Sequence, residues 1–96
     1  MEGRKAVSRF CELGYPVGVS CYSGYRYAER PLSFVHLDRR YQVIELERSW
    51  FEECVEGARR TRKACFQVRA DDGNLYVLSR CEQDDTWTLE RALFLS

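Results

Sequence analysis

The chain has almost no net charge, two prolines, one histidine and no long apolar run. Each shortage excludes something. Fifteen basic and fifteen acidic residues cancel. A protein that coats nucleic acid regardless of sequence draws its affinity from neutralising phosphates, and so is strongly basic. A zero balance argues against that role and leaves room only for a local patch. No apolar stretch approaches the roughly 20 residues that a spanning helix needs. No apolar run comes after the charged stretch from Met1 to Leu13, so a secretory leader is not expected. The expectation is a cytoplasmic chain with no membrane partner. His36 stands alone, and the five cysteines (Cys11, Cys21, Cys54, Cys65 and Cys81) are widely spaced with no CxxC. Closely spaced ligand pairs are the signature of structural zinc, so no metal and no other cofactor is expected. Thiols in the cytoplasm stay reduced, and most of these five read as small hydrophobes in or near a core.

Residues 1–96 carry no repeat, low-complexity tract or linker and read as a single domain. Hydrophobic residues are 45% and charged residues 31%, which suits a globular domain rather than a disordered chain. A chain of this length buries roughly 60–68% of its unfolded surface, enough for one core.

Most of the chain alternates. Val7, Phe10 and Cys11 share a helical face, and Gly14 suits a helix stop, so a short N-terminal helix is expected. Val17, Val19 and Cys21 then alternate with small or polar residues. Leu32 to Leu37 places Leu32, Phe34 and His36 on one face, and Asp38, Arg39 and Arg40 read as a polar turn. Tyr41 to Phe51 is aromatic and β-branched, which suits a pleated surface; Ile44, Leu46 and Trp50 fall on one face, Tyr41 and Val43 on the other. Residues 49–57 are ambiguous. Ser49 and Glu52 fit a capping box, but a strand through Trp50 followed by an irregular segment from Glu52 to Arg60 fits better. Ala64, Phe66, Val68 and Ala70 alternate with Lys63, Cys65, Gln67 and Arg69. Asp72-Gly73 suits a two-residue type I′ hairpin, with Leu75 to Cys81 returning. Glu82 to Asp85 breaks the chain again before Thr86 to Leu95. The expected fold is mainly β: a small antiparallel sheet or partly open barrel of five to six strands with a short N-terminal helix.

Four segments, PLSF, RYQVIELERSWFEE, RRTRKACFQVRADDGNLYVLSR and DTWTLERAL, lie between Pro31 and Leu93. Trp50 and Phe51 end one strand; Arg59 and Arg60 lead towards Phe66. Gly73 turns the chain into Leu75, Tyr76 and Val77, and Trp87 to Leu93 closes the segment. Together these features resemble a family of small bacterial domains of unknown function. Its members are free-standing or lie at the C-terminal end of some Y-family polymerase-like proteins of DNA-damage mutagenesis. The family pattern has an acidic residue after the arginine pair, where this chain has Thr61, Arg62 and Lys63. The resemblance implies a role in bacterial DNA repair or mutagenesis and brings no catalytic residues with it.

Arg59, Arg60, Arg62 and Lys63 are the densest basic run. They suit phosphate contacts, or equally a solvated loop partly neutralised by Glu52, Glu53 and Glu56. Arg39 and Arg40 would join them in one patch if both turns lay on the same side of the sheet. Tyr25 and Arg26 sit in a tyrosine-rich stretch with three readings: a loop over the core, a protein interface, or a stacking surface for bases. Trp50 and Trp87 read as core and His36 as structural. Asp71, Asp72, Asp84 and Asp85 are explained by turn chemistry. Cys54, next to Glu53, is a poor thiolate. The function expected is a non-enzymatic binding module whose partner is a protein or nucleic acid; a protein adaptor or homodimer unrelated to nucleic acid is the alternative.

Overall fold

The computed structural model describes residues 11–21, 30–83 and 85–94. They form seven antiparallel strands: β1 (Cys11–Pro16), β2 (Gly18–Cys21), β3 (Pro31–His36), β4 (Arg39–Glu56), β5 (Arg59–Ala70), β6 (Leu75–Cys81) and β7 (Trp87–Leu93). The sheet order is β1-β7-β6-β5-β4-β3-β2. Only Val17 separates β1 from β2, yet these strands stand at opposite ends of that order. Val17 itself donates its N–H to the Trp87 carbonyl at 3.2 Å. One continuous stretch thus passes from β7 to β3, and the sheet curls into a half-barrel.

The centre is β5, which pairs β4 on one side and β6 on the other. Its alternation is the one expected: Ala64, Phe66, Val68 and Ala70 are all buried. They pack with Phe34, Tyr76, Leu78, Leu89 and Ala92 on the inner, concave face. Phe34 stacks on Tyr41 with centroids 4.9 Å apart and meets Tyr76 edge-on at 5.2 Å. Leu13, Val17, Val19 and Trp87 pack against the same cluster.

Four expectations change. The N-terminal helix is not found among the described residues: Cys11 and Leu13 lie in strand β1, and Gly14, at φ +83°, sits where the β1–β7 register shifts. The bulge needs the positive φ that the helix stop was invoked to explain. The remainder of that helix lies outside the described residues. The strand count is seven rather than five to six. The faces of β4 are reassigned by register shifts between Val43 and Glu45 and between Leu46 and Arg48. Each inserts one extra residue and turns the rest of the strand to the opposite face. Tyr41, Val43 and Leu46 therefore all reach the core, Ile44 is exposed, and Trp50, opposite Cys65, lies on the outer face. The segment from Glu52 to Arg60 is regular strand except for a two-residue turn at Gly57-Ala58. Gly57 has φ +60° in the first central position, as a type II′ hairpin requires.

Turn chemistry also shifts by a residue or two. Leu37 and Asp38, at φ +52° and +64°, make the tight β3–β4 turn, so Arg39 and Arg40 belong to β4. At the β5–β6 turn only Gly73 has positive φ, +86°. The Gly73 N–H bonds to the Ala70 carbonyl and the Ala70 N–H to the Asn74 carbonyl. This is a three-residue loop with glycine in the left-handed position, not a two-residue type I′ turn. The cysteines are more exposed than expected: Cys65 is buried, but Cys11 and Cys54 are exposed. No helix among the described residues is long and apolar enough to cross a membrane.

Leu78 is fully buried at the middle of the inner face. Leu78→Ala is expected to cost about 2–5 kcal/mol in urea unfolding, from lost burial plus a cavity. Val55→Ser, on the exposed end of β4, is expected to change stability by no more than about 0.5 kcal/mol.

Candidate nucleic-acid interface

The last pair joining β5 to β6 is Lys63↔Cys81. Beyond it, the Glu82 N–H still donates to the Arg62 carbonyl at 3.0 Å, and β4 and β5 then continue alone through Cys54↔Thr61, Val55↔Arg60 and Glu56↔Arg59. At roughly 3.3 Å per residue, this two-stranded arm projects about 10 Å. Period-two alternation sorts its side chains. Phe51 pairs with Ala64 on the inner face, so Glu53, Val55, Arg60 and Arg62 share that face. Cys54, Arg59, Thr61 and Lys63 lie on the outer one. The Arg62 guanidinium lies 4.1 Å from the Phe51 ring centroid, which fits this assignment. Arg62 also meets Glu82 at 3.4 Å.

The expected basic patch does not assemble as one surface. Arg39 and Arg40 begin β4, whereas Arg59 and Arg60 lie beside the far end of this 18-residue strand. Arg39 stands 4.6 Å over Tyr41 and 3.9 Å from Asp71, while Arg40 donates to the Ser33 hydroxyl at 3.4 Å. Tyr25 and Arg26 lie outside the described residues. Lys63 turns away from the arm into a network of its own. This leaves Arg59, Arg60 and Arg62 on the arm, and only Arg60 and Arg62 on one face. The opposing strand is acidic: Glu52, Glu53 and Glu56 stand across from Lys63, Arg62 and Arg59.

The Lys63 network was not anticipated. On the outer face, the Lys63 ammonium donates to Glu90 at 3.1 Å and the Ser79 hydroxyl donates to the same oxygen at 2.6 Å. Burial alone would raise the Glu90 carboxyl, but the Ser79 and Lys63 hydrogen bonds outweigh it and hold its pKa below the ordinary value. Burial alone would lower the Lys63 amine, yet the bond and charge of Glu90 leave it raised. Cys65, on the same face, has its thiol pushed up to about 11 by burial and by Glu52. It therefore stays protonated at neutral pH. The only signal in the sequence was Glu90 and Ser79 each alternating with a core leucine.

A second network closes the β5–β6 turn. The Asp72 carboxylate accepts from the Tyr76 hydroxyl at 2.6 Å and from the Asn74 backbone and side-chain amides at 3.0 Å. Burial opposes ionisation of Asp72, but these bonds prevail and lower its pKa. Burial, then the bond to Asp72, pushes the Tyr76 hydroxyl up. His36 stacks near Tyr15 with centroids 5.2 Å apart. Among the described residues, no three His, Cys, Asp or Glu side chains converge as a metal-binding group.

The lowered carboxyls of Glu90 and Asp72 give the fold an acid-sensitive component. A carboxyl whose folded pKa lies below its unfolded value, about 4.3 for Glu, stabilises fully above that value. The stabilisation fades as pH falls through the folded pKa. Glu90→Gln is therefore expected to lower stability at pH 7 and to flatten the loss of stability below about pH 4. Urea titrations at several pH values check this; an unchanged acid slope would show that the Lys63–Glu90–Ser79 contact contributes nothing.

In comparisons with known proteins, no family model, curated protein or solved structure matched the chain.

Proposed function

We propose that the chain is a non-enzymatic binding module that docks a protein through the inner face of the β4–β5 arm. The composition of that face carries the reading. Phe51 and Val55 are 58% and 59% exposed, and Glu53, Arg60 and Arg62 surround them in the ladder. Acid stands opposite base along the arm, so its field largely cancels. A surface that holds phosphates needs unopposed positive charge. An apolar patch framed by charges of both signs, with arginine and an aromatic ring, suits a protein contact. The resemblance of Pro31–Leu93 to domains of DNA-damage mutagenesis proteins supports a setting in bacterial DNA repair, in the cytoplasm.

One observation favours a second reading, single-stranded nucleic acid. Arg59 and Arg60 are exposed, and the Arg62–Phe51 stack offers a platform for a base.

Two measurements separate the readings. Labelled single- and double-stranded DNA titrated at two salt concentrations is expected to show no tight binding at low salt, where charge attraction is greatest. A photo-crosslinking side chain at position 51 is expected to give a discrete protein adduct in cells, lost with Val55→Glu and absent when the probe sits at Leu37. Salt-sensitive DNA binding that Arg60→Glu abolishes would contradict protein docking and support the second reading.

A further inference from the structure

We propose that the open edge of β4, from Ser49 to Val55, accepts an added strand: an extended segment of a partner protein that carries two adjacent basic residues between apolar ones. The proposal rests on the protein-docking reading and names the class of partner.

Strand β3 pairs with β4 only as far as Gln42, and β5 takes the opposite side of β4 from Val43 to Glu56. Beyond Gln42, no strand among the described residues lies against the remaining side. The turn sets which backbone groups point there. Glu56 and Arg59 flank the two-residue hairpin at Gly57-Ala58, so they exchange both of their hydrogen bonds. Every second residue repeats this, and Trp50, Glu52 and Cys54 aim their N–H and C=O groups at β5. Ser49, Phe51, Glu53 and Val55 aim theirs at the open side. The Arg62 carbonyl agrees: it accepts from Glu82 on the β6 side, so Arg62 and Glu53, which face each other in the ladder, both turn away from the β4–β5 seam. A row of unpaired backbone groups is a template for another strand. From Ser49 to Val55, about 20 Å of strand, no bulge, proline or lysine blunts it.

Charge selects the occupant. Glu52 and Glu53 stand opposite Lys63 and Arg62, but Lys63 bonds to Glu90 and Arg62 meets Glu82. Glu53 has no ion-pair partner among the described residues. Glu52 accepts the neutral Trp50 indole N–H at 2.9 Å and has no cation among them either. Successive residues point to opposite faces, so a strand laid alongside meets Glu53 on the inner face and Glu52 on the outer one. Two adjacent Lys or Arg residues answer both. Exposed Phe51 and Val55 flank Glu53 on the inner face and call for apolar residues. An antiparallel partner therefore reads apolar–any–basic–basic–apolar against Val55 to Phe51. A second β4 is a poor occupant, because pairing centred on this stretch brings Glu52 and Glu53 of each copy together. Arg60 and Arg62 stand one strand further away, about 10 Å from the added strand, and are left to the rest of the partner.

Titration of the full chain with a fluorescein-labelled peptide, Thr-Val-Thr-Lys-Lys-Val-Thr, tests this, with amide exchange read by NMR. In the free chain the amides of Phe51, Glu53 and Val55 are expected to exchange fast and those of Glu52 and Cys54 slowly. The peptide is expected to bind saturably and, at about ten times its Kd, to slow exchange at Phe51, Glu53 and Val55 about tenfold. Glu53→Lys is expected to raise the Kd about tenfold. A peptide with glutamate in place of both lysines is expected to prefer that variant to the wild type. N-methylation of the two valines, whose N–H groups face β4, is expected to abolish binding; N-methylation of the third residue, which faces away, is expected to leave it intact. Slow exchange at Phe51, Glu53 and Val55 in the free chain would show the edge already covered and overturn the proposal. So would no saturable binding up to about 1 mM, binding that spares those three amides, or equal binding of the glutamate peptide to the wild type. A failed titration alongside a position-51 adduct in cells removes the added strand and leaves protein docking standing. Loss of both removes both.

Discussion

Strand β5 has to bury one face and satisfy two neighbours at once, and most of the architecture depends on that. Ala64, Phe66, Val68 and Ala70 go into the core on one side, while the backbone pairs with β4 and β6 along its length. A central strand cannot shift by one residue without turning its whole apolar set to the other face. Its neighbours therefore adapt to it. β6 matches it directly, with Tyr76 and Leu78 on the same inner face. β4 matches it only through two register shifts, which bring Tyr41, Val43 and Leu46 to the core.

That division explains which elements were legible in the sequence. The alternation from Lys63 to Ala70 and the return strand from Leu75 to Cys81 could be read directly, because both strands run without an inserted residue against each other. The faces of β4 could not. A bulge leaves no mark in alternation, so Trp50 read as core although it lies on the outer face beside the buried Cys65. The apolar spacing from Val7 to Cys11 suggested a helix, and Gly14 a stop; a bulged edge strand requires the same glycine conformation. Gly73 marked its turn correctly. The loop length depended on which residue besides glycine takes a positive φ, and Asp72 instead spends its carboxylate on Tyr76 and Asn74.

The arm was the least legible element and the most informative one. Three glutamates followed by four basic residues look like a solvated loop when read in one dimension. Folded back at Gly57, the same run becomes a ladder in which acid faces base across the strands. The ion pairs of Arg62 and Lys63 nevertheless reach out of the arm, to Glu82 and Glu90. The basic residues also separate: Arg60 and Arg62 lie beside Phe51, and Lys63 joins Glu90 on the other face. Chain-wide neutrality and this local cancellation point the same way, towards a partner surface of mixed charge.

Nuclear Overhauser contacts across the free chain's arm test this most directly. A preformed ribbon predicts cross-strand contacts between Cys54 and Thr61 and between Val55 and Arg60, with extended-chain chemical shifts from Glu52 to Arg62. Random-coil shifts over those residues and no cross-strand contacts would contradict the arm as a built surface, and with it the face that Phe51, Val55 and Arg60 share.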